Sequence, residues 1–235
     1  MAMVSIACSP HVPVRQSSPQ PVYPIYQEKT ITSNLFSDSA AQLSEADVAT
    51  LLDGEIDYAS DIRIAVFYYA IRSRNFGKWG YNYASSSAPE LQEDYISRIR
   101  KEMTATGQVS RVSLIPSLLI SSDANITQLR EAAARMQCDM VFIIKAESDI
   151  YRDSKLFKKD EIKAYATCEA LLMDTRTTVV PFSDIISTEA VFTRAEDDSD
   201  LAETQKKAEQ AAISEAIEKA ARASAVFINE VKQAD

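Results

Sequence analysis

The only histidine in the chain, His11, lies in a proline-rich stretch, and that position narrows the chemistry open to the folded part. A Ser or Cys nucleophile needs a general base within hydrogen-bond reach, and His-based zinc sites need imidazoles as ligands. Neither arrangement is available there. Cys8, Cys138 and Cys168 stand too far apart for a C-x-x-C motif. Gly54, Gly77, Gly80 and Gly107 are the only glycines, and they form neither G-x-G-x-x-G nor a Walker A loop. Glu90, Glu93 and Asp94 cluster near the start of a helix, where carboxylates could exchange protons. The plainer reading, preferred here, is that negative charge favours that end of the helix dipole. The run Glu196-Asp197-Asp198-Ser199-Asp200 lacks the Gly and terminal Glu of an EF-hand and reads as a solvated loop capping the last helix. No cofactor and no metal are expected.

Binding residues are easier to find than catalytic ones. Residues 75–83 hold the only tryptophan, Trp79, with Phe76, Lys78, Tyr81 and Tyr83, flanked by Arg72 and Arg74. Trp, Tyr and Arg dominate binding hot spots, so this loop is the candidate contact for a protein partner or a glycan. The alternative is that the aromatics fold back as a satellite core, since they bury large areas wherever they can. Lys155, Lys158, Lys159 and Lys163 form a basic patch between two strands, as a solvated hairpin tip does. Cys138 and Cys168 read as small core residues. Whether they pair is open at this level.

At 46 % hydrophobic and 25 % charged, 235 residues suffice for one sizeable core plus extra segments. The net charge of −9 disfavours broad contact with nucleic-acid phosphates, and it disfavours simple electrostatic attachment to anionic lipid. No apolar run is long enough to span a membrane as a helix.

The elements that must position these residues follow a clear order. Residues 9–40 contain a nineteen-residue stretch with five prolines, from Ser9 to Gln27, which favours extended, solvated backbone and reads as a disordered tether. Ser44 with Asp47 makes a capping-box start for a short amphipathic helix with Val48, Leu51 and Leu52 on one stripe and Gly54 at its end. Residues 62–70 read as a buried strand. A helix starts at Pro89, carries Leu91, Tyr95, Ile99 and Met103, and ends near Gly107. A second strand stops at Pro116. Asn125 caps a helix turning Ile126, Leu129, Ala133 and Met136 inward. Residues 139–148 make the most hydrophobic strand. Residues 162–173 alternate as a half-exposed antiparallel strand, residues 174–181 turn, and residues 182–194 return. A long closing helix over 201–231 presents Ile213, Ile217, Ala220, Ser224, Phe227 and Val231 as one stripe. The predicted fold is an α/β domain over residues 41–235: a mixed sheet from β-α-β-α-β plus an antiparallel hairpin, covered by helices.

Two segments resemble known proteins. Val4-Ser5-Ile6-Ala7-Cys8 resembles a lipobox, the signal-peptidase II site of bacterial lipoproteins, with Ser5 where an aliphatic residue is commoner. Only seven residues precede Cys8, none of them Lys or Arg, so the resemblance implies that residues 1–8 are the remnant of a longer leader. It also implies lipidation, including palmitate, at Cys8. Ser9 after the cysteine, rather than Asp, implies the periplasmic face of the outer membrane. The second segment is the folded part. Cys138-Asp139-Met140-Val141 opening a hydrophobic strand, and Asp174-Thr175-Arg176-Thr177 at the hairpin, are similar to the α/β domain of several envelope lipoproteins. That group includes the curli-secretion lipoprotein, the lipoprotein activators of penicillin-binding proteins and the N-terminal domain of TolB. Thr178 stands where the group usually has glycine.

These features give an expected function: a lipid-anchored, non-catalytic protein-interaction module in the bacterial envelope, serving assembly, secretion or activation of an envelope machine. Its partners would be envelope proteins and, through the lipid, a membrane, with homo-oligomer formation left open. Two alternatives stand beside it. One is a carboxylate-dependent hydrolase or a glycan-binding protein with the aromatic loop as lid. The other is a subunit of a ring-forming secretion assembly, for which residues 162–173 and 182–194 are the only membrane-strand candidates, with charged ends.

Overall fold

In a computed structural model of the chain, residues 44–56, 58, 61–73, 89–120, 124–153, 161–193 and 201–234 are described. Their elements run α1 (Glu45–Asp53), β1 (Ile62–Ser73), α2 (Pro89–Thr104), β2 (Val109–Leu114), α3 (Ile126–Arg135), β3 (Met140–Asp153), β4 (Glu161–Asp174), β5 (Phe182–Thr193) and α4 (Leu201–Ala234). The strands form one sheet in the order β2-β1-β3-β4-β5. The first β-α-β crossover joins the parallel neighbours β1 and β2, the second carries the chain from β2 past β1 to β3, which pairs parallel with β1 on its other side, and the last two strands add antiparallel. The α/β class and the element order are therefore those read from the sequence.

Period-two alternation sends one half of each strand to a single large core. Ile64, Val66, Phe142, Ile144, Ala164, Ala166, Cys168 and Leu172 lie on this face and are fully or almost fully buried. Helix α4 lies over β4 and β5 and extends to α2. It meets the sheet through Ala208, Ala212, Ile213, Ala216, Ile217, Ala220, Ala221 and Ser224. Small residues therefore face the small residues of β4, which lets helix and strand backbones approach closely. Two polar contacts lie within this seam. Thr188 Oγ1 donates to the Ala212 carbonyl at 2.7 Å, and Ser148 Oγ donates to the buried Glu209 carboxylate at 3.2 Å. Helix α2 closes the other end. Tyr95 meets Tyr68 edge to face at 6.4 Å, and α2 is linked to α4 by Glu102–Arg222 at 2.8 Å and Arg98–Glu218 at 3.2 Å.

The opposite face carries a smaller cluster of Ala65, Phe67, Leu129, Ala132, Ala133, Val141 and Met173 beneath α3. Helix α3 starts with the expected Asn125 cap, completed by Gln128, and ends in a Schellman motif. Gln137 N–H donates to the Ala134 carbonyl and Cys138 N–H to the Ala133 carbonyl, with Gln137 at φ 57°. Gly107, at φ 76°, makes the corresponding left-handed turn after α2.

Several expectations need correction. Strand β1 continues past Ala70 to Ser73, because Arg72 and Ser73 still pair with Glu147 and Ser148. Strand β3 continues past Ser148 to Asp153, matched residue for residue by β4. Ile126 is 56 % exposed, so only the part of α3 from Leu129 onward packs on the sheet. Helix α1 buries no residue, Leu52 is 80 % exposed, and Gly54 is extended at φ −83°, so its glycine freedom is not used. The helices do not cover the whole sheet: α3 covers one end of its face, and no described helix covers the rest. Cys138 and Cys168 are free and belong to the cores on opposite sides of the sheet, which excludes a bridge between them. Burial pushes the Cys168 thiol up to about 12.

The α4 seam is tight enough to test by overpacking. Ala220→Leu is expected to destabilise the domain by about 1–3 kcal/mol in urea unfolding, because the added carbons have no void to fill.

Candidate functional site

The residues read from the sequence as sites divide into two groups. Cys8, the aromatic loop with Phe76, Lys78, Trp79, Tyr81 and Tyr83, the Glu196–Asp200 run, and Lys155, Lys158 and Lys159 lie outside the described residues. Glu90, Glu93 and Asp94 fall on α2, with the Glu90 side chain outside the description. Glu93 lies 3.9 Å from Arg100, and Asp94 lies 2.9 Å from Arg98, so these two carboxylates face arginines. Lys163 lies on β4, 4.0 Å from Glu189. Among the described residues, no group of His, Cys, Asp and Glu could hold a metal ion. No described helix is long and apolar enough to cross a membrane.

The two aspartate motifs do come together, at the end of the sheet where β3 begins and β4 ends. Asp139 precedes β3, and its carboxylate is held three times by Arg63 of β1. Oδ2 accepts from the Arg63 backbone N–H at 3.0 Å and from Nε at 2.9 Å, while Oδ1 accepts from Nη2 at 2.8 Å. The Asp139 backbone N–H donates to the Arg63 carbonyl, and its own carbonyl accepts from Thr175 N–H. One residue therefore joins β1, β3 and the turn after β4. Asp174 orders that turn: its Oδ1 accepts from the backbone N–H of Arg176 and Thr177 and from the Thr177 hydroxyl, at 2.7–3.0 Å. Arg130 of α3 donates to the Thr175 carbonyl, and Arg111 of β2 to the Met136 and Gln137 carbonyls at the end of α3. The resulting clasp borders a cleft of about 320 Å³.

The electrostatics make this a structural centre. The Arg63 guanidinium holds the Asp139 carboxyl below the ordinary carboxylate range, against the opposing effect of burial. A carboxylate whose pKa is lowered by a bidentate arginine pair is poorly matched to proton transfer near neutral pH. Thr178 sits in the left-handed region at φ 62°, a conformation that strains a β-branched residue. The usual glycine at that position in the resembled group fits this backbone without strain.

Sequence reading missed the more open surface, the uncovered face of β3, β4 and β5. A groove of about 730 Å³ crosses it, lined by Tyr69, Ile143, Leu171 and Ile185 with Lys145 and Glu169. The Lys145 ammonium lies 2.9 Å from Glu169 and 3.7 Å from Glu147. Beyond it, Tyr151 and Tyr165 meet edge to face at 5.4 Å. Tyr69 is the extra residue where the pairing of β1 with β3 shifts between Tyr68 and Ala70, and its ring is exposed. A shift of this kind re-aims a side chain, and such irregularities favour functional surfaces. The signal available in sequence was the alternation of Lys163, Tyr165, Thr167 and Glu169. The apolar start of β3 hid the fact that its second half is also open on this side.

No protein family matches the chain, and no curated protein matches it either. Similar solved structures are found, and lipoproteins are among them. One is a protein from Xanthomonas campestris, 14 % identical, covering 74 % of this chain and 88 % of its own, with a TM-score of 0.38. Another is a minor lipoprotein from Acinetobacter baumannii, 9 % identical, covering 72 % of this chain and 94 % of its own, with a TM-score of 0.35. A third is the C-terminal domain of LpoB from Salmonella enterica, 12 % identical, covering 56 % and 86 %, with a TM-score of 0.31.

The clasp yields two expectations. Asp139→Ala removes the three hydrogen bonds that the carboxylate accepts from Arg63 and should lower stability at neutral pH. Because the folded carboxyl titrates below its unfolded value, its contribution is complete above about pH 4 and disappears as pH falls through the folded pKa. Urea unfolding from pH 7 to pH 3 should therefore show a shallower acid decline in the variant than in the wild type. Thr178→Gly relieves the left-handed strain and should raise stability by about 1 kcal/mol, read as a shift of the thermal midpoint.

Proposed function

We propose that the chain is a lipid-anchored, non-catalytic interaction domain of the bacterial envelope. Cys8 carries the lipid, residues 9–40 are the tether, and residues 41–235 bind an envelope protein at the periplasmic face of the outer membrane. The observation that supports this most directly is the open β3–β5 face. Tyr69, Tyr151, Tyr165, Ile185 and Val191 stand exposed on one side of a rigid sheet, among paired lysines and glutamates. Tyrosines with aliphatic neighbours and a polar surround are the composition of a protein-binding patch. The ion-paired state of Glu93, Asp94 and Asp139 favours a binding role over acid–base chemistry. The working principle is positional: a lipid and a flexible spacer hold the face at high effective concentration near its partner.

The deciding experiment compares wild type with Cys8→Ala, each expressed from its full gene in a Gram-negative host with labelled palmitate. Label and outer-membrane sedimentation in the wild type alone are expected. Absence of label from both, with both in the soluble fraction, would remove the anchored reading.

A further inference from the structure

We propose that β5 pairs antiparallel with β5 of a second copy of this chain, about a two-fold axis through Thr188. The inference starts from the two edges of the sheet, which differ sharply. At one edge, β2 is six residues long, carries Arg111 and is followed by Pro116, all features that blunt an edge strand. At the other, β5 is twelve residues long, regularly paired with β4 throughout, and contains neither lysine nor proline. Among the described residues no strand pairs with its outer side. A long, regular edge of this kind presents a row of unpaired backbone groups, ready to be continued.

The side chains select the occupant. Ile185 and Val191 lie on the open face at 68 % and 49 % exposure, three residues to either side of Thr188. A two-fold axis through Thr188 sets Ile185 opposite Val191 of the second copy, and Val191 opposite its Ile185. Both pairs are aliphatic and β-branched, the kind that stabilises neighbouring strands. The axis residues are two threonines. Glu189 falls opposite Ser187, and its charge is already balanced by Lys163 within its own chain. Moving the axis to Ser187 sets Ile185 opposite Glu189 and Val191 opposite Ser183, which forfeits both apolar pairs. Odd-numbered shifts of the register fail outright, because they place open-face residues opposite core-face residues. On the covered face, α4 lies over β4 and β5, so pairing brings it beside its copy at about two strand spacings, roughly 10 Å, an ordinary interhelical distance. The product is a ten-stranded sheet whose open faces are continuous across the axis.

This inference goes beyond the proposed function, and lipid labelling at Cys8 neither supports nor opposes it. Its test is the mass of the full chain carrying Cys8→Ser, by sedimentation equilibrium from micromolar to several hundred micromolar. A species of twice 26.0 kDa is expected. Ile185→Lys and Val191→Lys change only exposed side chains, so circular dichroism should be unchanged while the dimer constant falls by at least about tenfold. Under oxidation, the Ile185→Cys/Val191→Cys double variant should cross-link to a covalent dimer, whereas Ser187→Cys alone should not, its copies being diagonal to each other. A monomer at every concentration, an assembly larger than two, a dimer indifferent to both lysine substitutions, or cross-linking through Ser187→Cys would each overturn the proposal.

Discussion

Small side chains meet across the contact between α4 and β4, and the remainder of the domain is arranged around that close approach. Ala164, Ala166, Cys168 and Ala170 project from the strand toward Ala212, Ala216 and Ala220 of the helix. With so little volume between them, helix and strand backbones approach closely. The hydroxyl of Thr188 and the buried carboxylate of Glu209 add direction to a contact that apolar surfaces alone would leave free to slide. Helix α4 is also the element to which α2 is fastened, through Glu102–Arg222 and Arg98–Glu218. The position of α2 therefore follows from the packing of α4.

At the far end of the sheet, the limiting problem is polar rather than apolar. Strand ends, a helix C-terminus and a turn converge there, and each leaves backbone groups that must be satisfied. Asp139, Asp174, Arg63, Arg111 and Arg130 satisfy them together. Four arginines, counting Arg176, surround two aspartates on a chain whose net charge is −9. Carboxylates that accept from backbone N–H groups, and guanidiniums that donate to carbonyls, tie four strands and one helix to one another. Asp139 is committed to its pair with Arg63, and Asp174 to the backbone N–H groups and the Thr177 hydroxyl of the turn.

Among the described residues the sheet is covered unevenly, and function is best sought in that asymmetry. A central sheet usually buries both faces, but here α3 reaches only part of β1, the first residues of β3 and the last of β4. The uncovered part is not a hydrophobic core laid bare. Lys145 pairs with Glu169 and Lys163 with Glu189 across strands, and Lys145 with Glu147 along β3, between the tyrosines and aliphatics, so the face is well hydrated while still offering apolar area. Such a surface tolerates water and rewards burial by a partner.

Sequence by itself determined what depends on local pattern. Alternation gave the strands, the spacing of threes and fours gave α2, α3 and α4, Ser44 and Asn125 marked helix starts, and the scarcity of histidine and glycine in the folded part removed the common catalytic and phosphate-binding arrangements. The Asp139 and Asp174 motifs were also legible, as short signatures beside a strand and a turn. The hairpin of β4 and β5 was legible, but tertiary structure alone decided that β1 lies between β2 and β3, and with it the lengths of β1 and β3, since both extend only because a partner strand continues beside them. It also decided that Asp139 and Asp174 belong to one clasp, that Cys138 and Cys168 lie on opposite sides of the sheet, and that β5 is an edge strand among the described residues. The physical reason is common to all of these. Periodicity records which face of an element is apolar, whereas contacts between residues distant in sequence depend on how much of each face the other elements cover.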